Sequence, residues 1–413
     1  MVSALLVVGL FVAAFVGYNI GGSSTGVAFG PAVGSRIVGK VSAATLFTSF
    51  ALLGGWTVGR NVIDTMSDGI VPATLFTPAT SVGVLFFAGA ALLLSNLYGV
   101  PASTSMTAVG AIVGLGLARN RLNEAIMFTI VSAWIVAPLV AFLTGVVIGR
   151  YVYPHLDARI TFTRIENSLV QLDRSGTVPR PHLNENASPR DVVGGVGVVG
   201  IACYMGFSAG ASNAANAVAP LVGDGAITIE QGILLAIGSI GLGGFTIARR
   251  TLDTISDGIT DLPIMAALVV SFVGATVITV LSRLGIPASL AVSTTCCIIG
   301  LGWGRASRAV TLAEAATTAV DTDPEAELTT GALAEPTMDE PAGPTVGTLA
   351  AGEVEERDPD EAVEVPPIGE EELDELAAES LFDPAATSRI VILWILSPTL
   401  SVIGSYVLFL LLP

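Results

Sequence analysis

Residues 210–220 read GASNAANAVAP and residues 21–31 read GGSSTGVAFGP. Both set short polar side chains among glycine and alanine, in surroundings apolar enough to lie in lipid. Ser23, Ser24, Thr25, Ser212 and Asn213 carry hydroxyl or amide groups that can cap a helix end and also donate to an oxyanion. A helix interrupted inside a membrane leaves free N–H groups, and the partial positive charge of its N-terminal end favours the same ligand. Glycine and alanine let the backbone approach that ligand, and Pro31 and Pro220 stand where a helix can break. Broken backbone is tolerated at depth only where it is buried in protein or lines a cavity, so residues 21–35 and 210–224 are expected to be broken or re-entrant. The competing reading is close helix packing, which small residues also favour. Each stretch is followed by a PAS tripeptide ahead of an apolar run, which adds Ser103, Thr104 and Ser289 as candidate anion donors.

A cation would need oxygen ligands, charged ones for preference. Asp64 and Asp253 are carboxylates within or at the edge of apolar segments, and such residues are functional candidates by default. Neutral oxygens for the same sodium ion or proton pathway come from Asn19, Ser23, Thr65, Ser208, Ser212, Asn216 and Thr254. The competing reading is a solvated or helix-capping aspartate, and that reading is taken for Asp68 and Asp257.

Other chemistries fit poorly. GFSAG (206–210) matches a nucleophile-elbow pattern, but that motif needs a strand–turn–helix and a histidine base. His155 and His182 both lie between apolar segments, away from it. No metal-ligand spacing and no phosphate-binding glycine loop occurs, which argues against a resident cofactor, an enzyme or ATP-driven pumping; nothing points to nucleic acid. Cys203, Cys296 and Cys297 lie in apolar runs, where free cysteine behaves as a small apolar residue.

The chain that must hold these groups has 413 residues, 52% hydrophobic and 13% charged. A soluble domain averages roughly 25% charged residues. Apolar runs near the ~20 residues needed to cross a bilayer recur at about 2–20, 40–58, 79–98, 102–118, 125–149, 192–208, 228–248, 264–284, 286–303 and 388–411. This is the pattern of an all-α, polytopic membrane protein. The net charge of −17 is concentrated: residues 311–388 hold 22 of the 35 acidic residues and one arginine. That composition is expected to form a disordered acidic loop over 306–386. One lysine against 17 arginines, with this acidity, fits the proteome of a high-salt organism such as a halophilic archaeon. With ten spans and both termini outside, the inner loops collect fourteen arginine or lysine residues and the outer loops four, as the positive-inside rule requires.

The chain also repeats itself. At an offset of 189, Gly17, Gly21, Ser23 and Pro31 meet Gly206, Gly210, Ser212 and Pro220, and Arg60, Asp64, Thr65 and Asp68 meet Arg249, Asp253, Thr254 and Asp257. At 186, VPAS (100–103) meets IPAS (286–289), and at 260, Trp134 and Pro138 meet Trp394 and Pro398. The acidic loop is therefore an insertion in the second copy. Ordered matches of this kind indicate duplication. Five spans per copy is odd, so the second copy enters from the opposite face, giving inverted repeats. The expected organisation is a first membrane repeat over 1–150, a cytoplasmic middle loop over 151–190, a second repeat over 191–305, the acidic loop, and a last span over 387–413.

The two copies resemble the PiT family of inorganic phosphate transporters. In that family each repeat carries G-A-N-D-V-A-N, then G-x-x-V-x-E-T, then P-V-S-T-T-H; here GASNAANAVAP, GRNVIDT, ARRTLDT, PASTSM and PASLAV stand in those places. The resemblance implies a sodium- or proton-coupled phosphate symporter working by alternating access. The departures are specific. The motif Asp is Ser24 in one copy and Asn213 in the other; the second motif Asn is Val27 and Asn216; the T-T-H end is Ser105–Met106 and Ala291–Val292. Losing two carboxylates eases binding of a dianion and weakens binding of Na⁺. Sulfate is the alternative cargo. It has no proton at neutral pH, so an acceptor beside the anion would favour phosphate. A degenerate transporter that senses anion is the alternative from another class. The expected partners are the anion, the coupling ion and the bilayer, with a second copy of the chain as a further candidate.

Overall fold

Long apolar helices make up most of the computed structural model, which describes residues 4–35, 37–97, 103–159, 170–173, 180–183, 189–246, 264–309 and 384–412. In the first half these are α1 (Ala4–Gly34), α2 (Lys40–Thr57), α3 (Gly59–Asp64, continued by a π-turn Thr65–Gly69), α4 (Pro78–Leu97), α5 (Thr104–Ala118) and α6 (Glu124–Val147). A short helix α7 (Tyr153–Arg159) follows. In the second half they are α8 (Pro189–Gly223), α9 (Ile229–Thr246), α10 (Ile264–Arg283), α11 (Leu290–Ala306) and α12 (Pro384–Leu411). Between the halves sits a small antiparallel hairpin, β1 (Val170–Asp173) with β2 (Arg180–Leu183), Val170 opposite Leu183. The hairpin is an addition to the all-α expectation. The acidic stretch lies outside the described residues from 310 to 383, as do Asp253 and Thr254.

Six of the described helices are long and apolar enough to cross a membrane, and a seventh counts if α2 and the α3 segment, bent by 62°, form one span. Three shorter apolar helices accompany them: Pro78–Leu94, Thr104–Ala118 and Leu290–Ala306. The surface bears out a bilayer protein. Phe11, Phe128 and Ile135 are among many large apolar side chains that face outward. The interior is rich in alanine, serine and glycine, as expected where close helix contact replaces hydrophobic burial.

Residues 21–35 and 210–224 are not broken, as expected from sequence, but run inside the continuous helices α1 and α8. The local reasons are visible in α1. Ser23 Oγ donates to Ile20 O at 3.1 Å and Thr25 Oγ1 to Gly21 O at 2.8 Å, so these hydroxyls serve their own helix. Pro31 and Pro220 are accommodated inside the helices. The glycines serve contact instead. A Cβ on Gly21 would collide with the Ile240 carbonyl oxygen of α9, and one on Gly210 with the Ala51 carbonyl oxygen of α2. Gly54 and Gly243 meet the Phe207 and Tyr18 carbonyl oxygens in the same way.

Those contacts are reciprocal. Gly21 and Gly210 are 189 residues apart, and so are their partners Ala51 and Ile240. Gly114 of α5 packs on Val402 of α12, and Gly300 of α11 on Phe142 of α6, which follows the offsets of 186 and 260. Each half thus supplies the helices that close the other: α1 packs on α9 and α8 on α2, α5 on α12 and α11 on α6.

Two of the described helices start directly after the PAS serines. Ser103 caps α5, accepting from Met106 N at 3.3 Å, and Ser289 caps α11, accepting from Val292 N at 3.3 Å. Gly285, at φ 73°, turns the chain between α10 and α11 in a conformation that favours glycine. Trp134 Nε1 then holds that turn by donating to Pro287 O at 2.8 Å.

Candidate functional site

Two short helices begin inside the protein, and the middle of α8 lies against both starts. Ser212 Oγ donates to Ala288 O, one residue before the α11 cap, at 2.9 Å. The same oxygen lies 3.3 Å from Ser105 Oγ in the first turn of α5. The N-terminal ends of α5 and α11 therefore converge on one serine, which is 1% exposed. Each end carries unbonded N–H groups and a partial positive charge of roughly half an elementary charge. Two such ends meeting inside the protein form a natural place for an anion.

The remaining polar groups of this cluster come from α5 and α8. Thr104 Oγ1 donates to Asn213 Oδ1 at 2.7 Å. Asn216 Nδ2 reaches Asn213 Oδ1 and Ser105 Oγ, each at 3.1 Å, and Thr104 Oγ1 at 3.4 Å. Asn216 Oδ1 is buried without a hydrogen-bond partner. The cluster is neutral, built of hydroxyls and amides, so a dianion entering it meets no carboxylate repulsion from these groups.

Of the proposed anion-binding residues, the structure brings Thr104, Ser212 and Asn213 together, with Ser103 and Ser289 capping the two converging helices. Ser23, Ser24 and Thr25 lie on α1 instead, in the place equivalent by repeat to Ser212, Asn213 and Ala214. The positions in the second PAS segment equivalent to Thr104 and Ser105 are Leu290 and Ala291. The helix start after the PAS tripeptide is thus polar in one copy and apolar in the other.

The proposed cation ligands are dispersed. Asn216 belongs to the polar cluster. Asn19 Nδ2 donates to Phe15 O at 2.9 Å, and Ser208 Oγ to Ala275 O at 3.0 Å. Thr65 Oγ1 donates to Asn61 O at 3.1 Å at the π-turn, beside the exposed Asp64. Asp68 accepts from Ala73 N at 2.7 Å, the capping role expected of it. Among the described residues no three His, Cys, Asp or Glu side chains come close enough to hold a metal ion.

Two contributors escaped the sequence reading. Ser105 is fully buried at the centre of the cluster, yet in sequence it stood out as a departure from a family motif rather than as a ligand. Trp134, recognised as a repeat marker, holds the second PAS turn in place. The signal for Ser105 was its position two residues after the PAS serine, in the first turn of the helix that Ser103 caps.

Comparison with known proteins supplies the family. A model of the phosphate transporter family matches residues 20–321. The chain is 30% identical over 292 residues to a sulfate permease of Bacillus subtilis, covering 70% of this chain and 75% of that one. It is 26% identical over 387 residues to a chloroplastic inorganic phosphate transporter of Arabidopsis thaliana, covering 72% and 65%. It is 22% identical over 367 residues to a putative phosphate permease of Haemophilus influenzae, covering 72% and 87%. A solved structure described as the sodium-dependent phosphate transporter shares the fold at a TM-score of 0.63 and 19% identity, covering 99% of this chain and all of that one. By its matched residues and its multi-pass helical architecture, the chain belongs to the phosphate transporter family.

Proposed function

We propose that the protein is a secondary active transporter of inorganic phosphate, a sodium- or proton-coupled symporter working by alternating access. The observation that carries this reading is the convergence of the α5 and α11 N-termini on Ser212. Ten spans in two inverted five-span repeats, with both termini outside, supply the two-state frame. The reciprocal glycine contacts support that arrangement, because residue pairs swap partners between halves as a two-fold relation requires. The acidic stretch and the middle loop then both face the cytoplasm.

Sulfate is the second reading, favoured by the identity to the Bacillus sulfate permease. The test is uptake into proteoliposomes by the full chain, under imposed Na⁺ and H⁺ gradients, with radiolabelled phosphate and sulfate in turn. Accumulation of phosphate above equilibrium supports the proposal. Accumulation of sulfate alone would replace the cargo, and binding without accumulation would make the protein a sensor.

A further inference from the structure

We propose that Asn216 selects the anion by accepting a hydrogen bond from the anion's own hydroxyl, so that the site takes hydrogen phosphate and rejects fully deprotonated tetrahedral anions. The inference rests on the phosphate reading above and deepens it. In the cluster, the hydroxyl protons are committed internally. Thr104 gives its proton to Asn213 Oδ1 and Ser212 gives its own to Ala288 O, which leaves Ser105 to donate to Ser212 Oγ. Asn216 directs Nδ2 at Asn213 Oδ1 and Ser105 Oγ. Its Oδ1 has no hydrogen-bond partner although the residue is 1% exposed.

With Asn213 Oδ1 accepting from Thr104, the orientation of the Asn216 amide follows from its neighbours. Turning it over would set Oδ1 against Asn213 Oδ1, which already accepts from Thr104. A buried acceptor of this kind is costly unless a ligand donates to it. Further donors on the same elements are Asn213 Nδ2 and the Thr104 and Ser105 N–H groups that open α5, the Met106 and Thr107 N–H groups being bonded to Ser103. A set of several donors and one acceptor matches a tetrahedral anion that carries one hydroxyl. Sulfate brings acceptors alone and leaves Asn216 Oδ1 unpaired, and a site built to bond a hydroxyl discriminates strongly against an analogue lacking it.

The decisive probe is fluorophosphate, a dianion of nearly the same size as hydrogen phosphate in which fluorine replaces the hydroxyl. Binding of phosphate, arsenate, fluorophosphate, sulfate and selenate is measured on the full-length purified chain by calorimetry at mildly alkaline pH. The same panel is used as competitors of phosphate uptake in proteoliposomes. The proposal expects phosphate and arsenate to bind about tenfold or more tightly than the other three. It expects Asn216→Ala to bring phosphate and fluorophosphate within about twofold of each other, by loss of phosphate affinity with fluorophosphate little changed. Asn216→Asp keeps an acceptor at this place and is expected to keep the preference for phosphate over fluorophosphate, since both probes carry the same charge.

Equal binding of phosphate and fluorophosphate by the unaltered protein overturns the proposal without any variant having to fold, and leaves transport standing. Equal loss of both anions in Asn216→Ala would make the residue structural. A changed Na⁺ dependence with the anion ratio intact would assign the oxygen to the cation, and also overturns it. Failure of every anion to bind or accumulate would sink the transport reading itself.

Discussion

Ser105 Oγ and Ser212 Oγ lie 3.3 Å apart, although 107 residues separate them. The contact joins the first turn of α5 to the middle of α8, which belong to different halves of the chain. Alternating access requires the halves to move against each other around a fixed site. Under the transport reading proposed above, a pair that spans the halves is where ligand binding and movement would meet.

The first prediction concerns this pair. Ser105→Ala and Ser212→Ala each remove a buried hydroxyl that holds Asn216 or the α11 start in place, and each should weaken phosphate binding by roughly 1–3 kcal/mol. The double variant should lose less than the sum, because the two groups contact one another. Calorimetry on folded, purified variants checks both claims. Unchanged affinity in either single variant would remove that hydroxyl from the site.

The second prediction concerns the reciprocal packing. Gly21→Ala and Gly210→Ala each force a methyl group into a carbonyl oxygen of the opposite half. Overpacking of this kind typically costs about 1–3 kcal/mol. The two variants should lower thermal stability in detergent by similar amounts, since their surroundings are related by repeat. A large loss at one position and none at the other would argue against the two-fold relation.

Much of this arrangement was legible in the sequence because duplication leaves a record that packing does not erase. The offset of 189 that aligned Gly21 with Gly210 reappears in their partners Ile240 and Ala51. What misled was the meaning of the small residues. Glycine and serine favour both an unwound helix and a close helix contact, and in α1 and α8 contact prevailed. The hydroxyls of Ser23 and Thr25 bond the preceding turn, which a continuous helix permits and a break would not. The PAS segments, with proline two residues ahead of a capping serine, carried the stronger stop-and-start signal. The meeting of Ser105 with Ser212 could not be read from spacing, because it depends on how two helices dock.

The third prediction takes the acidic segment. The first repeat has no counterpart to it, yet keeps the rest of the pattern. Deleting 313–383 should leave the affinity for the transported anion within a few-fold of the parent, measured by uptake in proteoliposomes. Complete loss of uptake by a folded, well-expressed deletion would give the segment a gating role.

The fourth prediction separates cation coupling from anion binding. Asp64 stands exposed beside the π-turn, outside the polar cluster, and Asp253 is its repeat partner in sequence. Replacing either with Asn removes a charge at nearly constant volume, so folding should survive while Na⁺ or H⁺ dependence is altered. Ser103 and Ser289 act differently, as caps of the two helices that converge on Ser212. Replacing either with Ala should cost about 1 kcal/mol of stability from the lost cap. It should also weaken anion affinity, because the helix end at the site is no longer held. The two pairs are thus expected to give opposite signatures: altered ion dependence with anion affinity kept for the aspartates, and altered anion affinity with ion dependence kept for the serines. Ion titrations of phosphate uptake, run beside equilibrium anion binding on the same preparations, distinguish them. If both Asp→Asn variants keep the parent's ion dependence, these carboxylates are surface caps, and coupling through them is abandoned in favour of facilitated uniport or sensing.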